Sequence, residues 1–319
     1  MQSAKLRKKI QDLYSLGDLS ESLKVAQNAL ARKPKSAWYT TYGFVYFWTG
    51  FIYHMQGLIQ EARSVFLDLI GSEQTERMVR IRSLTELAHC HLNDGEHQEA
   101  RHWFGRAEEL LGQSPEPGVD EEFDRTMAHH LITRSVFEFY QQEFAHAIEI
   151  ANRCHEFIIA IPTSDDSAKF LITNYLNLVN YHLALGNAAM AREYLQLARA
   201  TMISTKALFA HGMVHFFENL ATYNLFAAGS STATIDALSE ISERSVNNFA
   251  EFRRLFDFFS SIIVQLHEGK IDVEEIREQI KAYGDDPLIK AYVPTLLYSA
   301  PPPGDESGDD DIPSARLTG

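Results

Sequence analysis

A short phrase recurs along the chain at intervals of about forty residues. In each copy a glycine or glutamine is followed five positions later by a small residue, which is alanine in most copies. The copies begin at Gly17, Gly57, Gly95, Gln142 and Gly186, with weaker echoes at Gly229 and Gly269. The first two intervals are 40 and 38 residues long. A fixed period of this kind is typical of a stacked repeat array, in which each unit packs mainly against its neighbours.

Each copy of the phrase is expected to join two helices. The glycine would end the first helix in the left-handed conformation, which has no Cβ penalty at glycine. Small and large apolar residues follow at offsets of three and four, as at Ala62, Phe66 and Leu69, and they form one stripe that must face a neighbouring helix. The predicted helix pairs span about 3–33, 37–71, 76–112, 121–160, 167–203, 206–243 and 247–283.

Composition narrows the class of protein. Apolar residues make up 45% of the 319, whereas only 10 prolines interrupt the chain, and this favours helices. The net charge of −14 argues against nucleic acid as a partner. The two cysteines suggest no disulfide framework, and no apolar signal core follows the basic N-terminus, so we expect a cytoplasmic protein.

Two segments need separate interpretation. The run 36–60 has no Lys, Arg, Asp or Glu and is long enough to span a membrane. It carries Tyr, Thr, Gly and His throughout and fits the repeat register, so a buried helix with an aromatic face is the preferred interpretation. Residues 299–319 are rich in proline and acid without an apolar period, which predicts a disordered tail after a repeat domain at 1–298.

The repeat residues resemble the tetratricopeptide repeat (TPR) family. In the second unit Gly50, Tyr53, Gly57, Ala62 and Phe66 stand where that family has glycine, tyrosine, glycine, alanine and an aromatic residue. The family's usual unit has about 34 residues, so the longer unit here resembles Rap- and PlcR-type peptide receptors and MalT-like sensor domains. The resemblance implies an all-α, right-handed α-solenoid of about seven helix-turn-helix repeats.

The resemblance also implies that the first helices of the pairs line a concave groove. The side chains transferred to that groove are aromatic, imidazole, guanidinium and amide groups. They are Phe44, Phe47, Phe51, His54, Arg82, His89, His129, Asn174, Asn177, Asn180, Phe216, Asn219 and Tyr223. An amide both donates and accepts hydrogen bonds, as an extended peptide backbone requires. The three asparagines from Asn174 to Asn180 could form a ladder along a peptide, or could meet solvent or the adjacent pair.

The expected function is therefore a scaffold that holds a peptide or a partner's segment in its concave groove. The alternative is a ligand- or peptide-responsive sensor of a bacterial signalling system, and a homodimer is left open. A metal-dependent enzyme ranks third. His211, His215 and Glu218 could share a helix face, and His89, Cys90 and His91 are adjacent, but we expect these groups to be structural. With no catalytic motif found, no catalytic residue, cofactor or metal is expected.

Overall fold

A computed structural model of the chain describes residues 2–112, 116–118, 120–162, 165–205, 210–226, 253–267, 275 and 278–279. Every regular element within these residues is an α-helix. The helices are α1 (Gln2–Ser15), α2 (Leu19–Leu30), α3 (Lys35–Tyr39), α4 (Gly43–Met55), α5 (Ile59–Gly71), α6 (Arg77–Asn93), α7 (His97–Leu111), α8 (Glu121–Tyr140), α9 (Phe144–Ala160), α10 (Asp165–Ala184), α11 (Ala188–Thr205), α12 (Ala210–Phe226) and α13 (Arg253–His267).

Five helix pairs match the first five predicted units. They are α1 with α2, α4 with α5, α6 with α7, α8 with α9, and α10 with α11. The short helix α3 was not predicted; it is separated from α4 because Thr40 leaves the helical conformation, with φ −109° and ψ −100°. In the last two predicted units, the described helices are α12 and α13. The remainder of those units and the predicted tail at 299–319 lie outside the described residues.

The turn between the paired helices has the predicted left-handed residue. The φ angle is 75° at Gly17, 73° at Gly57, 74° at Gly95 and 70° at Gly186. Gln142 adopts the same conformation with φ 63°, although its side chain makes that conformation less favourable by roughly 1 kcal/mol. The backbone N–H of Gln142 donates to the Phe139 carbonyl at 2.9 Å. The backbone N–H of Gly57 donates to the His54 carbonyl in the same way. The repeat register at position 142 is therefore confirmed despite the missing glycine.

The second helices bury the predicted stripes. Ala62, Phe66 and Leu69 of α5 are fully buried, and the corresponding stripes of α7 and α11 are buried too. The helices α4 and α5 approach each other closely at Gly50. A Cβ atom built on Gly50 would lie only 2.8 Å from Phe66 Cε1. A larger residue at position 50 would force the two helices or the Phe66 ring to move.

The first helices form a continuous inner layer. Contacts run from α1 to α4, and then to α6, α8, α10 and α12, while the second helices lie outside them. This is the all-α solenoid of helix-turn-helix units that the sequence predicts. The aromatic run around Trp48 forms α4, an inner helix of 13 residues. None of the described helices combines the length and apolar character that a bilayer span requires.

Candidate functional site

The inner layer surrounds an open cavity with a volume of about 280 Å³. Side chains from α1, α4, α6, α8, α10 and α12 line it, so the cavity is the concave face of the array. Most of the residues that the sequence transferred to the groove lie there. They are Phe47, Phe51, His54, Arg82, His89, His129, Asn177 and Asn180. The first helices thus bring together side chains that are far apart in sequence.

Phe44 lies beside the cavity and supports two of its arginines. The guanidinium carbon of Arg7 is 4.0 Å from the centre of the Phe44 ring, and that of Arg82 is 5.2 Å away. Cation–π contacts of this length help to fix both guanidinium groups.

The other four predicted residues do not line the cavity, because their side chains turn into the protein. Asn174 is fully buried and donates to the Ala151 carbonyl of α9 at 3.0 Å. Phe216 belongs to the apolar core. Asn219 donates to the His215 carbonyl at 2.8 Å, and the Tyr223 hydroxyl accepts from Arg192 Nε at 2.8 Å.

An aromatic wall forms one side of the cavity. Trp48 and Phe51 of α4 have ring centres 5.1 Å apart in an edge-to-face arrangement, and Phe47 stacks on Phe51 at 6.1 Å. Tyr14 of α1 packs against Trp48 at 5.3 Å. Such a wall offers large apolar contacts with defined orientation. Trp48 and Tyr14 were not among the predicted residues, although Trp48 follows Phe44 by one helical turn.

Basic side chains gather near the beginnings of the inner helices. Arg7, Arg82, Arg125 and Lys169 all line the cavity. Glu122 pairs with Arg82 at 2.7 Å and with Arg7 at 3.6 Å. Helix N-termini add positive partial charge at the same end. In a chain with a net charge of −14, this end of the cavity is suited to an anionic group.

A buried carboxylate, that of Glu86, lies among three histidines in the cavity floor. Its side chain is 2% exposed. Oε2 lies 2.8 Å from His54 Nδ1 and 3.9 Å from His89 Nδ1, while Oε1 lies 2.7 Å from His129 Nε2. Burial alone would raise the pKa of Glu86, but the hydrogen bonds from His129 and His54 outweigh it and hold the pKa well below its usual range.

The neighbouring imidazoles are constrained by the same network. The Asn93 amide nitrogen lies 2.8 Å from His54 Nε2, so Nε2 accepts and Nδ1–H donates to Glu86 in this arrangement. Burial lowers the pKa of His89 to about 3. Glu86 was not among the predicted site residues. The pattern Glu86-x-x-His89 was the available local signal, because residues three apart share a helix face.

Several cavity-lining residues have buried polar atoms without a hydrogen-bond partner among the described residues. The Asn177 amide nitrogen and the Asn180 amide oxygen, one turn apart on α10, are a donor and an acceptor of this kind. Trp48 Nε1 and His129 Nδ1 are two further examples. A buried polar group that lacks a partner costs roughly 1–3 kcal/mol. A bound ligand that pairs with these atoms would recover that free energy.

The histidine clusters singled out in the sequence are only partly described. His215 Nδ1 lies 2.8 Å from Glu218 Oε2, which is an ordinary hydrogen-bonding distance. The side chain of His211 lies outside the described residues. Cys90 is buried, and burial raises the pKa of its thiol well above the usual range, so it is kept from acting as a nucleophile.

No protein-family model matches the chain, and no curated protein is significantly similar to it in sequence. Among solved structures, the chain is similar to a Podosopora anserina protein that is assigned as a kinesin light chain and has nearly identical TPR-like repeats. The two are 13% identical, with a TM-score of 0.41, over 64% of this chain and 96% of the other.

Proposed function

We propose that the concave cavity binds a peptide or an extended segment of a partner protein. The cavity combines an aromatic wall, a basic end and amide groups on one continuous surface. Binding sites of this kind are largely apolar, with a few polar groups that fix the orientation of the ligand. The chain would act as a binding scaffold without catalysis.

The unpaired amide groups of α10 carry this proposal. Asn177 offers a buried donor and Asn180 a buried acceptor, neither paired among the described residues. A peptide group presents the complementary pair, a carbonyl oxygen and an N–H. A peptide main chain lying along α10 could bond to both asparagines, which would fix its register.

The wall and the basic end indicate the chemistry of the ligand. Trp48 and Phe51 would contact apolar or aromatic side chains. Arg7 and Lys169 would attract an acidic side chain or a terminal carboxylate. We therefore expect a hydrophobic peptide with at least one carboxylate at the end near the N-termini of the inner helices.

A second candidate function is a ligand-responsive sensor, and one observation favours it. Residues from α1 in the first unit and His215 of α12 in the sixth line the same cavity. A ligand that contacted both would link distant units and would favour one pitch of the array over others. The change would then alter an outer surface that a partner could read. The cytoplasmic location and the homodimer stay predictions from the sequence.

The test is a titration of short hydrophobic peptides, with and without an acidic terminus, that follows the thermal stability of the full chain. A specific ligand raises the melting temperature by mass action. For a peptide found in this way, Phe51→Ala should weaken binding at least about tenfold, the equivalent of roughly 1.4 kcal/mol. Leu67→Ala is the matched control, because Leu67 is 48% exposed on the outer helix α5. Equal losses in both variants would rule out the cavity as the binding surface.

A further inference from the structure

Three potential metal-ligand atoms converge in the cavity floor. His54 contributes Nδ1 from the last turn of α4, and Glu86 and His89 contribute Oε2 and Nδ1 from one face of α6. One ligand atom from each of the three residues lies within 4.8 Å of the other two. The imidazole rings of His54 and His89 are perpendicular, with centres 4.7 Å apart.

We propose that His54, Glu86 and His89 form a binding site for a divalent transition-metal ion, with Zn²⁺ best suited to the ligand set. Two imidazole nitrogens and one carboxylate oxygen are a ligand set that zinc uses in proteins. Zinc ligands at about 2.0–2.1 Å in a tetrahedral arrangement lie roughly 3.3 Å from one another. Glu86 Oε2 lies 2.8 Å from one imidazole nitrogen and 3.9 Å from the other. A tetrahedral ion would require shifts of about half an ångström in these two distances. The two imidazole ligand atoms, which lie within 4.8 Å of each other, would have to approach by up to about 1.5 Å.

Neighbouring side chains already orient these ligands. His129 Nε2 donates to Glu86 Oε1 at 2.7 Å, which leaves Oε2 for the ion. Hydrogen bonds of this kind hold ligating carboxylates and imidazoles in place at metal centres.

Asn93 supplies the matching contact for His54. Its amide is 2.8 Å from Nε2, and a half-turn of that amide would present its oxygen in place of its nitrogen. The His54 Nε2–H would then donate to Asn93, and Nδ1 would be free to bind the metal. The Asn93–His54 contact therefore serves both the hydrogen-bonded and the metal-bound arrangement.

The proposed site opens toward the cavity. His89 is 30% exposed and lines the cavity, whereas His54 and Glu86 are 4% and 2% exposed. Three protein ligands leave a fourth position for water or for a ligand group, as in zinc sites that are not purely structural. The ion would sit at the base of the surface that the proposed peptide contacts.

The sequence did not predict this site, because His54 lies 32 residues before Glu86. The competing interpretation is a hydrogen-bonded network that binds no ion. Metal binding does not depend on the proposed peptide function, since either could hold without the other.

Isothermal titration of the metal-free full chain with Zn²⁺ tests the proposal. We expect saturable binding of one ion per chain, weakened at least about tenfold in His89→Ala, because one of three ligands is lost. His102→Ala is the matched control, because His102 is an exposed histidine of α7 outside the cluster, and it should bind like the unaltered chain. Absent binding, or equal affinity in His89→Ala and the unaltered chain, would overturn the site.

A second measurement needs no variant and so is independent of any effect on folding. Co²⁺ bound by two imidazoles and a carboxylate in a four-coordinate site gives an intense visible spectrum, unlike the weak spectrum of six-coordinate Co²⁺ in water. An intense spectrum that saturates at one Co²⁺ per chain supports the site. If the weak spectrum alone is observed, the site is contradicted. Failure of both metal experiments would leave peptide binding to be judged by its own titration.

Discussion

The neighbouring helices α7 and α8 show two different relations between sequence and burial. The outer helix α7 buries one stripe, formed by Ala100, Phe104, Ala107 and Leu111. The inner helix α8 is buried on several sides, and Thr126, His130 and Ser135 are among its buried residues. An outer helix has neighbours on one face, whereas an inner helix contacts its own partner and the inner helices before and after it.

Many of the buried polar residues of the inner helices are paired with one another. His130 Nδ1 lies 3.0 Å from the Thr85 hydroxyl, and the hydroxyls of Ser135 and Tyr181 lie 2.9 Å apart. Such groups are tolerated inside a protein because they are hydrogen-bonded. The outer helices thus supply mainly apolar packing. The inner helices supply the polar groups that remain for a ligand.

The largest expected effect is on stability and comes from an outer helix. Phe104 is 1% exposed, and its ring centre lies 5.4 Å from that of Phe137. Replacing it with alanine should lower the free energy of unfolding by about 3–5 kcal/mol, because a large cavity is left. Chemical denaturation measures this, with the exposed Leu67→Ala variant as a control that should change stability by less than about 0.5 kcal/mol. A loss below 1 kcal/mol at Phe104 would contradict the packing role of the buried α7 stripe.

An intermediate effect separates two asparagines of the inner helix α10. Asn174→Ala should lower the free energy of unfolding by about 1–2 kcal/mol, since the hydrogen bond to Ala151 is lost. The same change should leave the affinity for a cavity ligand unaltered. Asn180→Ala should weaken that affinity about tenfold while changing stability less, because Asn180 Oδ1 lacks a partner among the described residues. Denaturation and a binding titration measure both quantities, and reversed results would contradict the placement of Asn174 in the core and of Asn180 at the cavity.

The smallest expected effect concerns the turn that lacks glycine. Gln142→Gly should raise the free energy of unfolding by up to about 0.5 kcal/mol. Glycine removes the strain of the left-handed conformation in the folded state, and this gain is larger than the stabilisation of the unfolded chain by the greater entropy of glycine. Gly95→Ala, at the matching turn with φ 74°, should lower it by about 1 kcal/mol. Equal effects of the same sign would contradict the shared turn geometry.

The sequence predicted the features that depend on local chemistry. The left-handed turns follow from glycine at a fixed interval, and the outer stripes follow from residues such as Ala62 and Phe66 at helical spacing. Gln142 was placed by the interval alone. Local patterns sufficed because each turn and each outer stripe involves a few neighbouring residues.

The candidate site could be predicted only in part. The aromatic side chains of α4 were placed in the groove by the resemblance, whereas Asn174 and Phe216 face the core. An inner helix is buried on several sides and has no clear polar face. The sequence pattern therefore does not show which of its side chains face the groove. Glu86 was missed because glutamate is usually exposed, and its burial depends on His54 and His129, which belong to other units.

Ligand binding in the concave cavity is tested most directly with Trp48 as a reporter. Of the three tryptophans in the chain, only Trp48 lines the cavity, so Trp38→Phe and Trp103→Phe together leave one signal there. Titration with a peptide that lacks tryptophan should change the Trp48 emission and saturate at the affinity measured by calorimetry. Binding detected by calorimetry with unchanged Trp48 emission would show that the ligand binds outside the cavity.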